Sequence, residues 1–310
     1  MIWNYPEYQF FFLFFWGLMA LIGCAIAILN CLSLPMKEKA RSIWKAYKSW
    51  FVMGPVIFVV VGLGRDSLII CLALLSIFCT KEFAKATGLY RDWFFMSILY
   101  LGILGIYLSV WFDWYGLFTA MPIYAIGALF ILPILRNRYK GMVQKVGLST
   151  IALIYIGWFL AHLAYFEKFP AGVGFLLYLI IGTELNDAGA FLTGKLFGKH
   201  KLVSEISPNK TIEGSFGALL VTALYTWGVS SWLYPLSPSL YILSVLIIWI
   251  GGTFGDLVIS FVKRDIGVKD MGTLIPGHGG LLDRADSLIF VAPLYFHMLK
   301  YFLIPAGTFL

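Results

Sequence analysis

Long apolar runs alternate with short polar stretches along this sequence. Most of the runs approach the roughly 20 apolar residues that an α-helix needs to cross a bilayer. The pattern predicts spans at about 8–34, 51–64, 66–80, 94–111, 116–135, 148–166, 171–193, 214–236, 239–262 and 285–305. The second and third runs are short, so they form either two partial crossings or one bent helix. We therefore expect an all-α, polytopic membrane protein with nine to ten spans.

The composition supports a membrane protein. Of the 310 residues, 60% are hydrophobic and only 13% are charged, whereas an ordinary soluble domain carries about 25% charged residues. So few charges cannot cover a globule in water, which excludes a soluble enzyme. The apolar content also excludes a disordered chain.

The basic residues divide the polar loops into two groups. Twenty of the 23 Lys and Arg residues lie in loops 35–50, 81–93, 136–147, 194–213 and 263–284. The alternate side holds only Arg65, Lys168 and Lys300. Because cytoplasmic loops accumulate positive charge, the rich side is predicted to be cytoplasmic. We expect a multi-pass protein of the cell membrane with both termini on the opposite side.

The two halves of the chain differ in character. Residues 1–170 are predicted to be N-terminal transmembrane helices with few acids near the membrane. Residues 171–310 bring acids, glycines and lysines together around loops 194–213 and 263–284. This asymmetry predicts that the chemistry lies in a C-terminal catalytic region.

The segment from Ser260 to Asp286 is the most charged part of the chain. It holds four charges of each sign in 27 residues. Asp283 and Asp286 share a face if a helix starts there, and Asp256 lies at the end of the preceding span. Converging carboxylates beside phosphates are a usual site for Mg²⁺. A solvated loop with internal ion pairs is the alternative, but it does not explain Asp256 within an apolar span.

The same segment offers groups that bind anions. The glycines of Gly277-His278-Gly279-Gly280 allow backbone N–H groups to approach a phosphate closely. Cationic side chains add phosphate-binding charge; they are Lys263, Arg264, Lys269 and Arg284.

A second polar segment begins inside the predicted span 171–193. Glu184 and Asp187 are again three residues apart, and Lys195, Lys199 and Lys201 follow. Snorkelling at a helix end would explain the lysines but not the two acids. The residues Ser207, Lys210, Thr211, Glu213 and Gly214 come next.

These two segments resemble the phosphatidate cytidylyltransferases, also called CDP-diacylglycerol synthases. The family signature reads S-x-x-K-R-x4-K-D-x5-P-G-H-G-G-x-x-D-R-x-D, and residues 260–286 match every fixed position. The upstream block, D-x-x-A-[YF]-x-x-G-[KR]-x-x-G-[KR] and then S-P-x-K-T-x-E-G, is matched within 187–214. Gly272-Thr273 departs from the small residue and His of many members, and Phe191 replaces the commoner Tyr. Both departures leave the lipid substrate open.

The resemblance implies that CTP and phosphatidic acid react to give CDP-diacylglycerol and pyrophosphate. It implies Mg²⁺ at Asp256, Asp283 and Asp286, with Asp187 as a further candidate and with room for a second, monovalent or divalent, cation. The implied catalytic set is Asp256, Lys263, Arg264, Lys269, Asp270, His278, Asp283, Arg284 and Asp286. The implied substrate-binding set is Asp187, Lys195, Lys199, Ser207, Lys210, Thr211, Glu213, Gly277, Gly279 and Gly280.

Two alternatives stay open. The lipid acceptor could be another phosphorylated lipid, or the chain could be an ion-coupled transporter that uses buried carboxylates as cation sites. Transporters often carry inverted repeats and broken helices in both halves, whereas here the charge is in one half. Membrane lipids are expected partners and nucleic acid is not; a homodimer is left open.

Overall fold

The computed structural model describes residues 2–31, 34–232, 236–272 and 279–304. The α-helices of its first half are α1 (Pro6–Cys31), α2 (Leu34–Gly62), α3 (Arg65–Ala86), α4 (Trp93–Trp111), α5 (Tyr115–Leu135), α6 (Met142–Ile151) and α7 (Phe159–Ala161). The second half contains α8 (Gly172–Phe197), α9 (Ile212–Trp232), α10 (Pro238–Asp265) and α11 (Leu282–Leu303). Short 3-10 helices cover Ile2–Asn4 and Leu89–Arg91.

A small hairpin interrupts the helices between α8 and α9. Strand β1 (Lys201–Val203) pairs antiparallel with β2 (Ser207–Thr211). Lys201 lies opposite Thr211, and Val203 lies opposite Ser207. These polar strands occupy the predicted loop 194–213.

The helices confirm the all-α membrane architecture. Within the described ranges, eight helices are long and apolar enough to cross a membrane, and Trp50–Gly62 is a shorter apolar helix. The run predicted at 285–305 corresponds to α11, which carries several charged residues and is not among the eight. Each predicted span therefore has a helix in the structure.

The predicted loop 35–50 is wrong in one respect, because most of it is helical. It lies within α2, which runs from Leu34 to Gly62. Residues 36–50 contain no Gly or Pro, so nothing breaks a helix there. The high polarity of these residues predicts a loop, whereas in the structure they form the polar first part of a long helix.

Contacts between residues divide the chain into units of 1–68 and 69–310. In the first unit α1 packs on α2, and the Tyr8 hydroxyl donates to the Phe58 carbonyl at 2.9 Å. The second unit contains the remaining helices and the hairpin. The division predicted at residue 170 concerns the distribution of charge, and it stays a prediction.

The second unit has an irregular element between α5 and α8. Helix α6 continues into a π-helix (Ala152–Trp158), then α7, then a 3-10 helix (His162–Lys168). From the π-helix, the Tyr155 hydroxyl donates to the carbonyls of Gly255 at 3.2 Å and Asp286 at 3.4 Å. These bonds tie the element to α10 and α11, the two helices that carry the signature residues.

Helices α10 and α11 approach each other closely at Gly255. A Cβ there would lie 2.7 Å from the Asp286 carbonyl oxygen and 2.7 Å from the Ser287 Cα. Only glycine fits against that backbone. The close approach places Asp256 beside the first turns of α11.

Candidate active site

A cavity of about 370 Å³ lies among the ends of α8, α9, α10 and α11 and the hairpin. Eight of the 17 described lining residues are charged; they are Asp187, Asp256, Asp270, Asp283, Asp286, Lys210, Lys263 and Arg284. Both sequence segments therefore contribute to one cavity. Carboxylates outnumber cations in this described lining.

The first ion pair of the cavity joins the hairpin to α10. Lys210 Nζ lies 2.9 Å from Asp256 Oδ2 and donates to the Thr253 carbonyl at 3.1 Å. The Ser260 hydroxyl donates to Asp256 Oδ1 at 3.1 Å. Asp256 is about one-third exposed, so it stays accessible to an incoming cation.

The second ion pair joins α10 to α11. Lys263 Nζ lies 2.8 Å from Asp283 Oδ1. Asp283 Oδ2 accepts the backbone N–H groups of Met271 at 2.9 Å and Gly280 at 3.0 Å. Gly279, at φ 82°, has the left-handed conformation that glycine adopts easily, and it directly precedes the Gly280 N–H that donates to Asp283. Both oxygens of Asp283 therefore have partners. They bind Lys263 and both flanks of the connection between α10 and α11, which we call the signature loop.

Asp286 lies deeper in the cavity. It is 7% exposed, and its Oδ1 accepts the Ser287 N–H at 2.8 Å. The nearby charges that act on it include those of Asp256 and Asp187. Such facing carboxylates repel one another unless a cation lies between them.

The lining residues Ser207 and Thr211 belong to β2. The Thr211 hydroxyl accepts the Gly214 N–H at 3.1 Å, so Thr211 caps α9. The first residues of α9 that line the cavity are Gly214 and Ser215. The positive end of the α9 dipole therefore faces the cavity.

Several predicted residues lie outside this lining. Arg264 Nε donates to the Ile206 carbonyl at 3.1 Å and holds the hairpin. Lys195 lies over the Phe191 ring at 5.5 Å, and Lys199 and Lys269 are exposed. Their roles in substrate binding stay predictions.

Glu213 anchors the start of the hairpin. It accepts the Lys199 N–H at 3.0 Å and lies 2.6 Å from His200 Nδ1. Gly280 lies beside Asp283, as does Gly279. Gly277 and His278 fall outside the described residues.

Glu82 is a further site residue that was not predicted from the sequence. This residue of α3 is 6% exposed, and it accepts the Leu282 N–H at 2.9 Å at the start of α11. An acid in an apolar helix is a signal for function. Its neighbours Lys81 and Lys85 predict instead the start of a basic loop.

Two polar sequence blocks thus line a highly charged cavity at the ends of apolar helices. This arrangement is typical of a membrane enzyme that acts on a charged substrate. A model of the cytidylyltransferase family matches residues 44–302. The chain belongs to the cytidylyltransferase family.

Individual relatives agree with this family. The chain is 33% identical over 276 residues to the protein named "Uncharacterized protein YnbB" of Escherichia coli (strain K12), which covers 86% of this chain and 90% of that protein. It is 39% identical over 160 residues to a phosphatidate cytidylyltransferase of Staphylococcus epidermidis and 40% identical over 161 residues to that of Staphylococcus aureus (strain COL). The last two matches span 51% of this chain and 60% of each relative.

The predicted family and enzyme class are therefore confirmed. The protein is a polytopic membrane cytidylyltransferase, and its family implies CTP and a lipid phosphate as substrates. The transporter alternative has no support from these matches.

Proposed function

We propose that this protein condenses CTP with phosphatidic acid to give CDP-diacylglycerol and pyrophosphate. One observation carries the proposal: the blocks around Asp187–Thr211 and Asp256–Asp286 line a single cavity at the membrane-helix ends. A soluble nucleotide and a bilayer-anchored phosphate can meet only at such a position. The names of the Staphylococcus relatives supply the specific lipid.

The chemistry is an in-line phosphoryl substitution. An oxygen of the lipid phosphate forms a bond to the α-phosphorus of CTP, and the bond to the bridging oxygen of pyrophosphate breaks. Two anions must approach each other, so positioning and charge neutralisation dominate catalysis. No covalent enzyme intermediate is required.

Cationic side chains in the cavity would bind the phosphates. Lys210 and Lys263 lie there in ion pairs with Asp256 and Asp283, and Arg284 lines the same cavity. Phosphate oxygens can share or replace these carboxylate partners. The N-terminus of α9 adds backbone dipoles that favour a phosphate.

The donor set fits Mg²⁺ in a shared site. Carboxylate oxygens are its preferred ligands, and the described carboxylates outnumber the cations, so two anionic substrates need a further cation. In the described part of the chain, no three His, Cys, Asp or Glu side chains come close enough to enclose a metal ion by themselves. We assign Asp256 and Asp286, with Asp187 nearby, as residues that would hold Mg²⁺ together with phosphate oxygens. When bound, Mg²⁺ supplies Lewis-acid stabilisation of developing phosphate charge.

Asp283 fits this cation less well, because both of its oxygens already have partners. Its assignment as a ligand therefore depends on breaking those bonds. The sequence leaves room for a second, monovalent or divalent, cation, and it leaves a homodimer open.

The proposed location is the cell membrane, with the cavity on the cytoplasmic side. The distribution of 20 basic residues on one side and three on the other supports this orientation. CTP is made and held in the cytoplasm, so the orientation gives the site direct access to it. Impermeant thiol labelling of a single cysteine near residue 270 tests it; labelling from outside intact cells would contradict it.

The reaction is tested with purified protein in detergent, labelled CTP, phosphatidic acid and Mg²⁺. We expect a labelled CDP-lipid and pyrophosphate only when both substrates are present. A panel of other lipid phosphates in parallel reactions defines the acceptor. Product with another lipid phosphate and none with phosphatidic acid would overturn the proposed substrate. Nucleotide-independent ion flux in liposomes, without any lipid product, would overturn the enzyme.

A further inference from the structure

Glu82 is a buried carboxylate that the chemistry above does not use. It lies near the C-terminal end of α3 and is 6% exposed. Its Oε2 accepts the N–H of Leu282, a residue 200 positions later in the chain, at 2.9 Å. This bond joins α3 to the first residue of α11.

The start of α11 needs such a partner. The first N–H groups of a helix have no acceptor within the helix, and a side-chain oxygen at the N-cap usually supplies one. Here the N-cap is Leu281, whose side chain has no acceptor. Glu82 supplies an oxygen from another helix, together with negative charge at the positive end of the α11 dipole.

Two glycines of the signature segment make room for the same carboxylate. The three atoms nearest to a Cβ at Gly272 would all belong to Glu82, and Oε1 would overlap it. A Cβ at Gly280 would lie 2.6 Å from Glu82 Oε2. Oε1 is buried and has no hydrogen-bond partner among the described residues. The carboxylate thus occupies the space between the two flanks of the signature loop.

We propose that Glu82 is a positioning residue that fixes the start of α11 and both flanks of the signature loop. Asp283, Arg284 and Asp286 all lie within the first turns of α11 and line the cavity. Glu82 therefore sets the positions of the charged groups around the phosphates without touching the substrates. The catalytic consequence rests on the proposed function, whereas the capping of α11 does not.

Hydrogen exchange in detergent tests the capping without any activity. In Glu82→Ala, the amides of residues 279–284 are expected to exchange faster than in the wild type. Glu82→Gln keeps an acceptor and the shape, so its exchange is expected to lie between the two. Glu7→Ala, which removes a carboxylate from α1, is the matched control and is expected to leave this segment unchanged. Equal protection in Glu82→Ala and the wild type would overturn the proposal.

Turnover tests the positioning. Misplacement of catalytic groups by about 1 Å can cost about 10²-fold in rate, so Glu82→Ala is expected to lower kcat by about that factor. The KM for CTP is expected to change little, whereas the melting temperature is expected to fall slightly because a helix cap is lost. Glu82→Gln is expected to lose about tenfold. A kcat within about twofold of the wild type in Glu82→Ala would overturn the positioning role.

A double variant separates this role from a general defect. Gly272→Ala is expected to lower kcat because its Cβ displaces Glu82, and Gly272→Ala/Glu82→Ala is expected to be no slower than the slower single variant. Gly147→Ala, where a Cβ meets no atom within 4 Å, is the glycine control. If the fold-loss in kcat of the double variant equals the product of the two single losses, the two residues act independently and the proposal is overturned. If the wild type turns over no lipid phosphate at all, the proposed function fails while the exchange experiment still decides the capping.

Discussion

Two charged clusters in the second unit of this protein are built in opposite ways. Asp92, which is 8% exposed, lies between Arg136 Nη1 at 2.9 Å and Lys145 Nζ at 2.8 Å. In that cluster one carboxylate forms ion pairs with two cationic side chains. In the cavity, by contrast, the described carboxylates outnumber the cations, and the negative charges of Asp256 and Asp187 act on Asp286 alongside the positive charge of Lys263.

The difference separates a structural cluster from a functional one. Arg136 and Lys145 join the ends of α5 and α6 to the residue that precedes α4, and the carboxylate needs no further partner. Burial would raise the pKa of Asp92, but the hydrogen bonds and charges of Lys145 and Arg136 outweigh it and hold that pKa below its ordinary value. The cavity carries an excess of carboxylates that only additional cations can balance, and unbalanced charge of this kind is typical of active sites.

The largest expected effect follows removal of a carboxylate from the cavity. Asp286→Asn keeps the shape of the side chain, so folding is expected to be nearly unchanged. Loss of electrostatic stabilisation is expected to lower turnover by about 10²–10³-fold, and half-maximal activity should require more Mg²⁺. Asp265→Asn, at an exposed residue outside the described lining, is the control. Near-normal turnover with an unchanged Mg²⁺ requirement would contradict the metal assignment of Asp286.

Asp283→Asn is expected to have the next largest effect, and for a different reason. The change weakens the bond to Lys263 and the hold on the N–H groups of Met271 and Gly280. Displacement of these groups is expected to lower turnover by about 10–100-fold, with little change in the Mg²⁺ requirement. A titration of activity against Mg²⁺ measures both quantities. A large rise in the required Mg²⁺ would show instead that Asp283 binds the metal during turnover.

Asp92→Asn is expected to change stability and not chemistry. Charged hydrogen bonds of this kind contribute on the order of 2 kcal/mol to the free energy of unfolding. Unfolding of the purified protein in a denaturing detergent measures the difference. Turnover per folded molecule is expected to stay at the wild-type value. A loss of turnover without a loss of stability would erase the distinction between the two clusters.

The same cluster predicts a pH dependence. Because the pKa of Asp92 is lower in the folded protein than its ordinary value of 3.8, its contribution is present above that value and is lost as the pH falls through the folded pKa. The stability difference between wild type and Asp92→Asn is therefore expected to be constant near neutral pH and to shrink below about pH 4. Unfolding curves at several pH values check this; a difference that shrinks near neutral pH would contradict it.

The smallest expected effect concerns the exposed lysines. Lys199→Gln and Lys269→Gln are expected to lower turnover less than about threefold, because solvent screens exposed charges. Kinetics at low and high salt measure that contribution. A loss as large as that of Asp286→Asn would show that these lysines enter the cavity when substrates bind.

The sequence predicted the helices and the convergence of Asp187, Asp256, Asp283 and Asp286 at one cavity. The apolar runs and the distribution of basic loops predict which helix ends lie on the same side of the membrane. They do not determine which helices pack side by side. The bond from Glu82 to Leu282 therefore could not be predicted, nor could the pairing of Asp283 with Lys263. The helix over residues 36–50 could not be predicted from polarity, because polar runs occur both in loops and in exposed helices.

The π-helix at Ala152–Trp158 has an evolutionary consequence. A π-turn contains more residues per turn than an α-turn, so a one-residue deletion there can restore a regular α-helix. The helix on either side keeps its direction after such a deletion, so only the residues within the turn change position. Since Tyr155 reaches α10 and α11 from this turn, relatives that lack the extra residue should show a one-residue gap within this span and a different donor to those two carbonyls.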